Sequence, residues 1–196
     1  AQRLFSEKGY HGVSIDEIAR KVDVSPAILY RHFKSKQMLY DAVLQAMSAQ
    51  RESYVQTVIN SGTSFEDVLT GMTQVYIKSI SENPDLLRIE LQSLLDKNPA
   101  TSDFFKNRGK SFTDYIEFSL NDRLPYDTPN REVTILTAAL MFQGMLREAL
   151  LQKYLQPEDR LVDVSLHELS HELVRLFLRS VGIEKSHLSR RAVING

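Results

Sequence analysis

Arg31, His32 and Lys34 put a guanidinium, an imidazole and an ammonium within four residues of one another. A guanidinium can pair bidentately with the edge of guanine, so Arg31 is the candidate for reading a base. Pro26, Ala27 and Ile28 just before it offer only apolar surface, which suits contact with thymine methyls or close approach of the backbone to DNA. A second stretch could do different chemistry. His167-Glu168-Leu169-Ser170-His171 is a literal HExxH, and on a helix that spacing sets two imidazoles on one face with a glutamate beside them, as in zinc-dependent hydrolases. Catalytic zinc wants a third ligand, and the only acidic residue after this helix is Glu184, in a tail. A helical wheel offers a simpler account. Val162, Leu166, Leu169, Leu173, Leu176 and Phe177 form one stripe, with His167 and His171 beside Val174 and Leu178 on its neighbour. Two half-buried histidines at a helix contact then explain the motif, and a zinc-dependent hydrolase is the alternative.

The elements that must position Arg31 are legible around it. Ser14 with Glu17 three residues on reads as a capping box opening a helix. Ile15, Ile18, Ala19 and Val22 then make one apolar stripe about two and a half turns long. Asp23, Val24 and Ser25 break the pattern, and Ser25 before Pro26 is an N-cap with proline at the first helical position. A second short helix runs from there to about Phe33, with Leu29 and Phe33 as its buried pair and Arg31, His32 and Lys34 facing outward. Two helices so joined are a helix-turn-helix.

This stretch resembles the DNA-binding segment of TetR-type transcriptional regulators. The resemblance is carried by Phe5, Gly9-Tyr10, Ser14, Ile18-Ala19, Val24-Ser25, Leu29-Tyr30, Phe33 and Lys36, and it covers residues 4–39. Asp23 stands where glycine is frequent in the turn, and Ala27 where glycine is frequent in the second helix; aspartate tolerates turn dihedrals. The resemblance implies that Ser14, Tyr30, His32 and Lys36 contact phosphates, a role that hydroxyl, imidazole and ammonium donors suit. It also implies a small effector bound in the middle of the C-terminal part, and thus a ligand-responsive repressor rather than an enzyme, with no cofactor.

The chain has 196 residues, no cysteine and a net charge of -1. Disulfides and cysteine metal sites are excluded, which fits a reducing cytosol, and no apolar run near 138–142 approaches the roughly 20 residues that span a bilayer. A cytoplasmic location is expected. Because the chain opens at Ala1, already inside a helix, its true N-terminus reads as trimmed. Residues 1–47 carry seven Lys/Arg and five Asp/Glu, whereas 48–196 carry seventeen and twenty, so the positive excess lies with the helix-turn-helix.

Along the chain, Leu4 and Phe5 lie on a first helix that Gly9 ends. The expected small core is Leu4, Phe5, Tyr10, Val13, Ile15, Ile18, Val22, Val24, Leu29 and Phe33, marginal by itself and therefore leaning on helices further along the chain. A long helix from Gln37 has no breaker before Gly62, so it should run as one rod out of the DNA-reading unit. Further helices are expected over 65–83, 84–95, 102–120, 131–155 and 163–181. The fold class is all-α, about nine helices, divided as a helix-turn-helix DNA-binding domain at 1–47 and an effector-binding and dimerisation domain at 48–196. Tyr76, Phe112, Tyr115 and Phe142, with Arg88, Gln92, Gln143 and Arg147, are the candidate effector residues, for a lipophilic or aromatic compound. Tyr54, Phe104 and Phe118 belong to the same aromatic set. One recognition helix reads too few base pairs, so two copies must stand about 34–36 Å apart on palindromic double-stranded DNA. A homodimer through 131–155 and 163–181 would hold them, with Ala138, Ala139 and Gly144 allowing close helix approach.

Overall fold

The computed structural model describes residues 1–47, 64–95, 110, 112–156 and 161–183, and among the described residues every regular element is helical. The order is α1 Gln2–Lys8, α2 Ile15–Lys21, α3 Pro26–His32, α4 at 36–47, α5 Phe65–Glu82, α6 Asp85–Leu95, α7 at 112–121, α8 Arg131–Leu150 and α9 Leu166–Ser180. A π-helical turn, Leu151–Leu155, continues α8. The continuation of α4 beyond 47 and the start of α7 at 102, like Tyr54, Phe104 and Glu184, lie outside the described residues.

Local sequence explains the ends. Ser14, Ser64 and Ser165 each accept a hydrogen bond from the amide three residues on, those of Glu17, Asp67 and Glu168, at 3.1 Å. The capping box expected at Ser14 is half made, because the Glu17 carboxylate takes a bond from the Lys8 ammonium. Ser165 also sets the start of α9 at Leu166 rather than near 163. Gly9 ends α1 at φ 70°, a left-handed backbone that glycine adopts without steric cost. Gly12 answers a different need: a Cβ there would lie 2.3 Å from the Lys8 carbonyl oxygen, so the turn closes only on a residue without one.

Two apolar interiors result. The first holds Leu4, Phe5, Val13, Ile15 and Ile18 together with Leu39, Tyr40 and Leu44 of α4 and Ile89 of α6. The expected core is therefore corrected at its edge. Val22 is 49% exposed, because α2 stops at Lys21 and its last turn faces solvent, and Leu29 and Phe33 are only partly covered. The missing apolar area comes from Ile89, so the small unit does lean on a later helix. Around that contact, Gln2 Nε2 donates to Asn83 Oδ1 at 2.6 Å, Ser6 Oγ to Asp85 Oδ1 at 2.7 Å, and Gln92 Nε2 to the Ser6 carbonyl at 2.9 Å. The second interior gathers α5, α6, α7, α8 and α9 around Leu69, Met72, Ile77, Phe142 and Phe177.

α8 is apolar on more than one side, as its wheel requires, and a single chain covers only one of them. Ile135, Ala138, Ala139, Phe142, Leu146 and Leu150 point inward, while Val133 and Leu140 are 63% and 55% exposed. Ala138 and Ala139 therefore fill their own chain's core and are not available for close approach of a second copy. Gly144 is, since nothing stands within 4 Å of the position a Cβ would take. The 25 residues of α8 and its π turn are long and apolar enough to cross a membrane by length and composition, a test that helices of soluble cores also pass.

Candidate nucleic-acid interface

α3 carries no buried residue. Leu29 and Phe33 anchor its inner side against the first interior, and everything else stands clear of it. Ile28 and Tyr30 are 41% and 52% exposed, and Ser25, Pro26, Ala27, Arg31 and His32 are exposed as well. The helix begins at Pro26, whose missing N–H costs nothing in a first turn, and Ser25 caps it through its backbone, leaving the hydroxyl without a capping bond. Ahead of it, the chain reverses at Asp23 with φ 56°, the left-handed conformation that glycine would take more easily. Val24 N–H closes the turn on the Ala19 carbonyl at 3.0 Å.

Ser14 is exposed at the start of α2, and its hydroxyl still has its proton to donate. Lys36 is placed differently. Its ammonium donates to the carbonyls of Tyr10 at 2.9 Å and Val13 at 3.0 Å and lies 4.4 Å from the centre of the Tyr10 ring. Two of its three donors thus pin the turn between α1 and α2, and the third is left for a phosphate. Burial raises the pKa of the Tyr10 hydroxyl, with the nearby Asp41 charge adding to the effect.

In the second interior the candidate effector residues divide. Tyr76 meets Phe112 edge-on with centroids 5.8 Å apart, Phe112 lies 6.1 Å from Phe142, and Phe142 lies 5.0 Å from Phe177. Tyr76 Oη donates to Glu90 Oε2 at 3.2 Å, and Arg147 Nη2 stands 3.9 Å from the other oxygen of that carboxylate. Tyr115 packs on Phe65 at 5.7 Å, with its pKa raised by burial, and Gln143 is half-buried on α8. Arg88 and Phe118 are exposed, and Gln92 is bound to α1, so these three leave the cluster. Glu90 and Phe177 are the members that sequence reasoning missed. Phe177 falls in a core stripe of the helical wheel, and nothing in the sequence around Glu90 marks it as inward.

His167, Glu168 and His171 are all exposed, so the expectation of half-buried histidines is corrected. Their side of α9 borders the buried Val174 and Leu178 without being covered. No group of three or more metal-ligating side chains occurs among the described residues.

Residues 1–43 match the profile of the bacterial regulatory proteins, tetR family. Residues 1–43 thus resemble the DNA-binding segment of that family, and the chain as a whole shares the fold of its solved members. Its helix-turn-helix is the family's, and its nine labelled helices follow the TetR arrangement. Among curated relatives it is similar to the transcriptional activator FasR of Mycolicibacterium smegmatis, 28% identical over 59% of this chain and 53% of that protein. The regulator UidR of Escherichia coli is 24% identical over 62% and 61%. The chain thus spans about half to three-fifths of the length of these relatives. Among solved structures it shares its fold with a TetR-family regulator from Bordetella parapertussis at a TM-score of 0.72 and 18% identity, covering 90% of this chain and 89% of that one. FadR from Bacillus subtilis in complex with stearoyl-CoA aligns at 0.65 and 14%, covering 90% and 93%. The relatives named here are transcriptional regulators, which leaves the zinc-hydrolase alternative without support.

Proposed function

We propose that this chain is a TetR-type, ligand-responsive repressor that binds palindromic operator DNA as a homodimer, in the cytoplasm. The observation that carries the reading is α3, a short helix with all but its anchoring side free of the protein. Arg31 is the base reader, Pro26, Ala27 and Ile28 supply apolar contact, and Ser14, Ser25, Tyr30 and His32 donate to phosphates. Residues 1–47 read DNA, and 48–196 bind the effector and dimerise. A negative regulator, IcaR of Staphylococcus aureus, is 30% identical over 46% of this chain, which supports repression as the sign of control.

The uncovered side of α8, with Val133, Leu136, Leu140 and Gly144, supports dimerisation through α8 and α9, the partner helices covering what one chain leaves open. The aromatic line from Tyr76 to Phe177 supports a lipophilic or aromatic effector, and the stearoyl-CoA held by the Bacillus subtilis FadR fits that class. Arg147, loosely paired with Glu90, is the group that would meet an effector's negative end. Binding there would move α6, tilt the DNA units and lower operator affinity by the effector's preference for one arrangement. Selection of binding sites from random double-stranded DNA by the purified chain tests the reading: a two-fold symmetric consensus with half-sites one helical turn apart is expected, and recovery of no consensus would refute it.

A further inference from the structure

His167 and His171 have no part in DNA reading or in the aromatic cluster. They stand on successive turns of α9, both exposed in the single chain and beside the buried Val174 and Leu178, with ring centroids 4.3 Å apart and planes at 45°. The ordinary account of such a pair, imidazoles buried at a helix contact and satisfied by neighbouring carbonyls, does not fit exposed side chains. The helix beneath them is fixed by the buried Val174, Phe177 and Leu178 and capped by Ser165, so the pair is presented on a rigid support. A metal ion held by two imidazoles at about 2.0–2.1 Å brings their ligating nitrogens about 3 Å apart, which rings this close reach by side-chain rotation alone. Glu168 and Glu172 border the same side of the helix. The Glu172 carboxylate is taken by Arg175, and the exposed Glu168 adds negative potential beside the imidazoles.

We propose that His167 and His171 form a two-imidazole chelate for a borderline-soft divalent transition-metal ion, Zn²⁺, Ni²⁺ or Cu²⁺, with water completing the coordination and no hydrolysis attached. Imidazole nitrogen selects these ions over Mg²⁺ and Ca²⁺, which require oxygen ligands. No third protein ligand stands among the described residues, which separates the site from a catalytic zinc. The bound ion ties the first turn of α9 to the second. It therefore raises the melting temperature of the protein, by stabilising the folded state that alone presents the pair.

The test is calorimetric titration of the tag-free full chain with ZnCl₂ and NiCl₂, with MgCl₂ as the control, alongside the nitrogen hyperfine pattern of the Cu²⁺ complex. One ion per chain with micromolar affinity, two-nitrogen coordination and no response to Mg²⁺ are expected. His167→Gln and His171→Gln should each lower the affinity at least tenfold while keeping the helical circular dichroism, because both positions are on the surface. His11→Gln, His32→Gln and His187→Gln should leave it unchanged. Wild-type affinity in either α9 variant, its loss in any of the other three, or no uptake at micromolar metal overturns the site.

Discussion

Ile89 and Glu90 are consecutive residues of α6 that serve different interiors. Ile89 is fully buried with Phe5, Ile18 and Leu44 in the N-terminal core, while the Glu90 carboxylate meets Tyr76 and Arg147 in the C-terminal one. A movement of α6 caused at Glu90 is therefore applied at once to the packing beneath the recognition helix. Gln92, bonded to the Ser6 carbonyl, makes the same connection to α1. Two substitutions should separate these roles. Ile89→Ala should destabilise the protein by about 2–4 kcal/mol in denaturant unfolding, through the lost side chain and the cavity it leaves. Glu90→Gln should change effector sensitivity while leaving operator affinity without effector within twofold; an unchanged effector response would remove Glu90 from the site.

On α3 the two kinds of contact differ in their signatures. Arg31→Ala should cost about 1–3 kcal/mol of operator binding and relax the preference at one base position. Tyr30→Phe should weaken binding to specific and random DNA alike. Fluorescence anisotropy with singly substituted operators distinguishes the patterns, and an Arg31→Ala protein with unaltered base preference would exclude base readout by that residue.

Lys36 should show its structural role. Lys36→Ala frees two carbonyls in the turn between α1 and α2, so the melting temperature and DNA affinity should fall together. A phosphate contact alone would instead reduce the salt slope by about one with no change in melting temperature. Gly12→Ala should do similar damage by a different route. The new Cβ would force the Lys8 carbonyl aside, at a cost of about 1–3 kcal/mol.

Association should depend on the outward side of α8. Leu140→Asp places a charge on an exposed apolar surface, so sedimentation should show monomers with unchanged helical content. Leu173 is buried in its own chain, and Leu173→Asp should unfold the protein instead, so that substitution does not report on the interface.

Acid should weaken the N-terminal unit slightly. The Glu17 carboxyl is held below its ordinary pKa, chiefly by the hydrogen bond from Lys8, and Glu7 likewise by Arg3. A lowered folded-state pKa means that the stabilisation is present above the unfolded carboxylate value and is lost as pH falls through the folded one. Glu17→Gln should flatten the acid limb of a melting-temperature profile, and high salt should reduce the difference, because both partners are on the surface.

The parts of the molecule legible in sequence are those fixed within a few residues. The Ser14 cap, the Ser25-Pro26 start of α3, the turn at Asp23 and the Gly9 stop all come from local backbone chemistry, and the structure has them. The parts that were not legible depend on which of two apolar faces meets the core. Val22 and Leu140 look as buried as Ile18 and Phe142 in a hydropathy pattern, yet end up exposed. Lysine is harder still. Its stem reaches in any direction, and only the fold shows that the Lys36 ammonium turns back toward Tyr10 and Val13 while that of Lys153 gathers the carbonyls of Leu161, Val162 and Val164.

The π turn at Leu151–Leu155 fits one residue more into its turn than an α-helix would hold. Relative to α8, the extra residue turns the chain beyond it back by about 100°. Tyr154 and Leu155, inside the turn, are half-buried against the C-terminal interior, whereas Leu140 on α8 is exposed. The turn therefore acts as a phase shifter at the end of α8. Chain length here matters more than residue identity: deleting Gln152 would rewind the turn and change the facing of Tyr154 and Leu155, whereas replacing Gln152 with alanine would leave the phase intact.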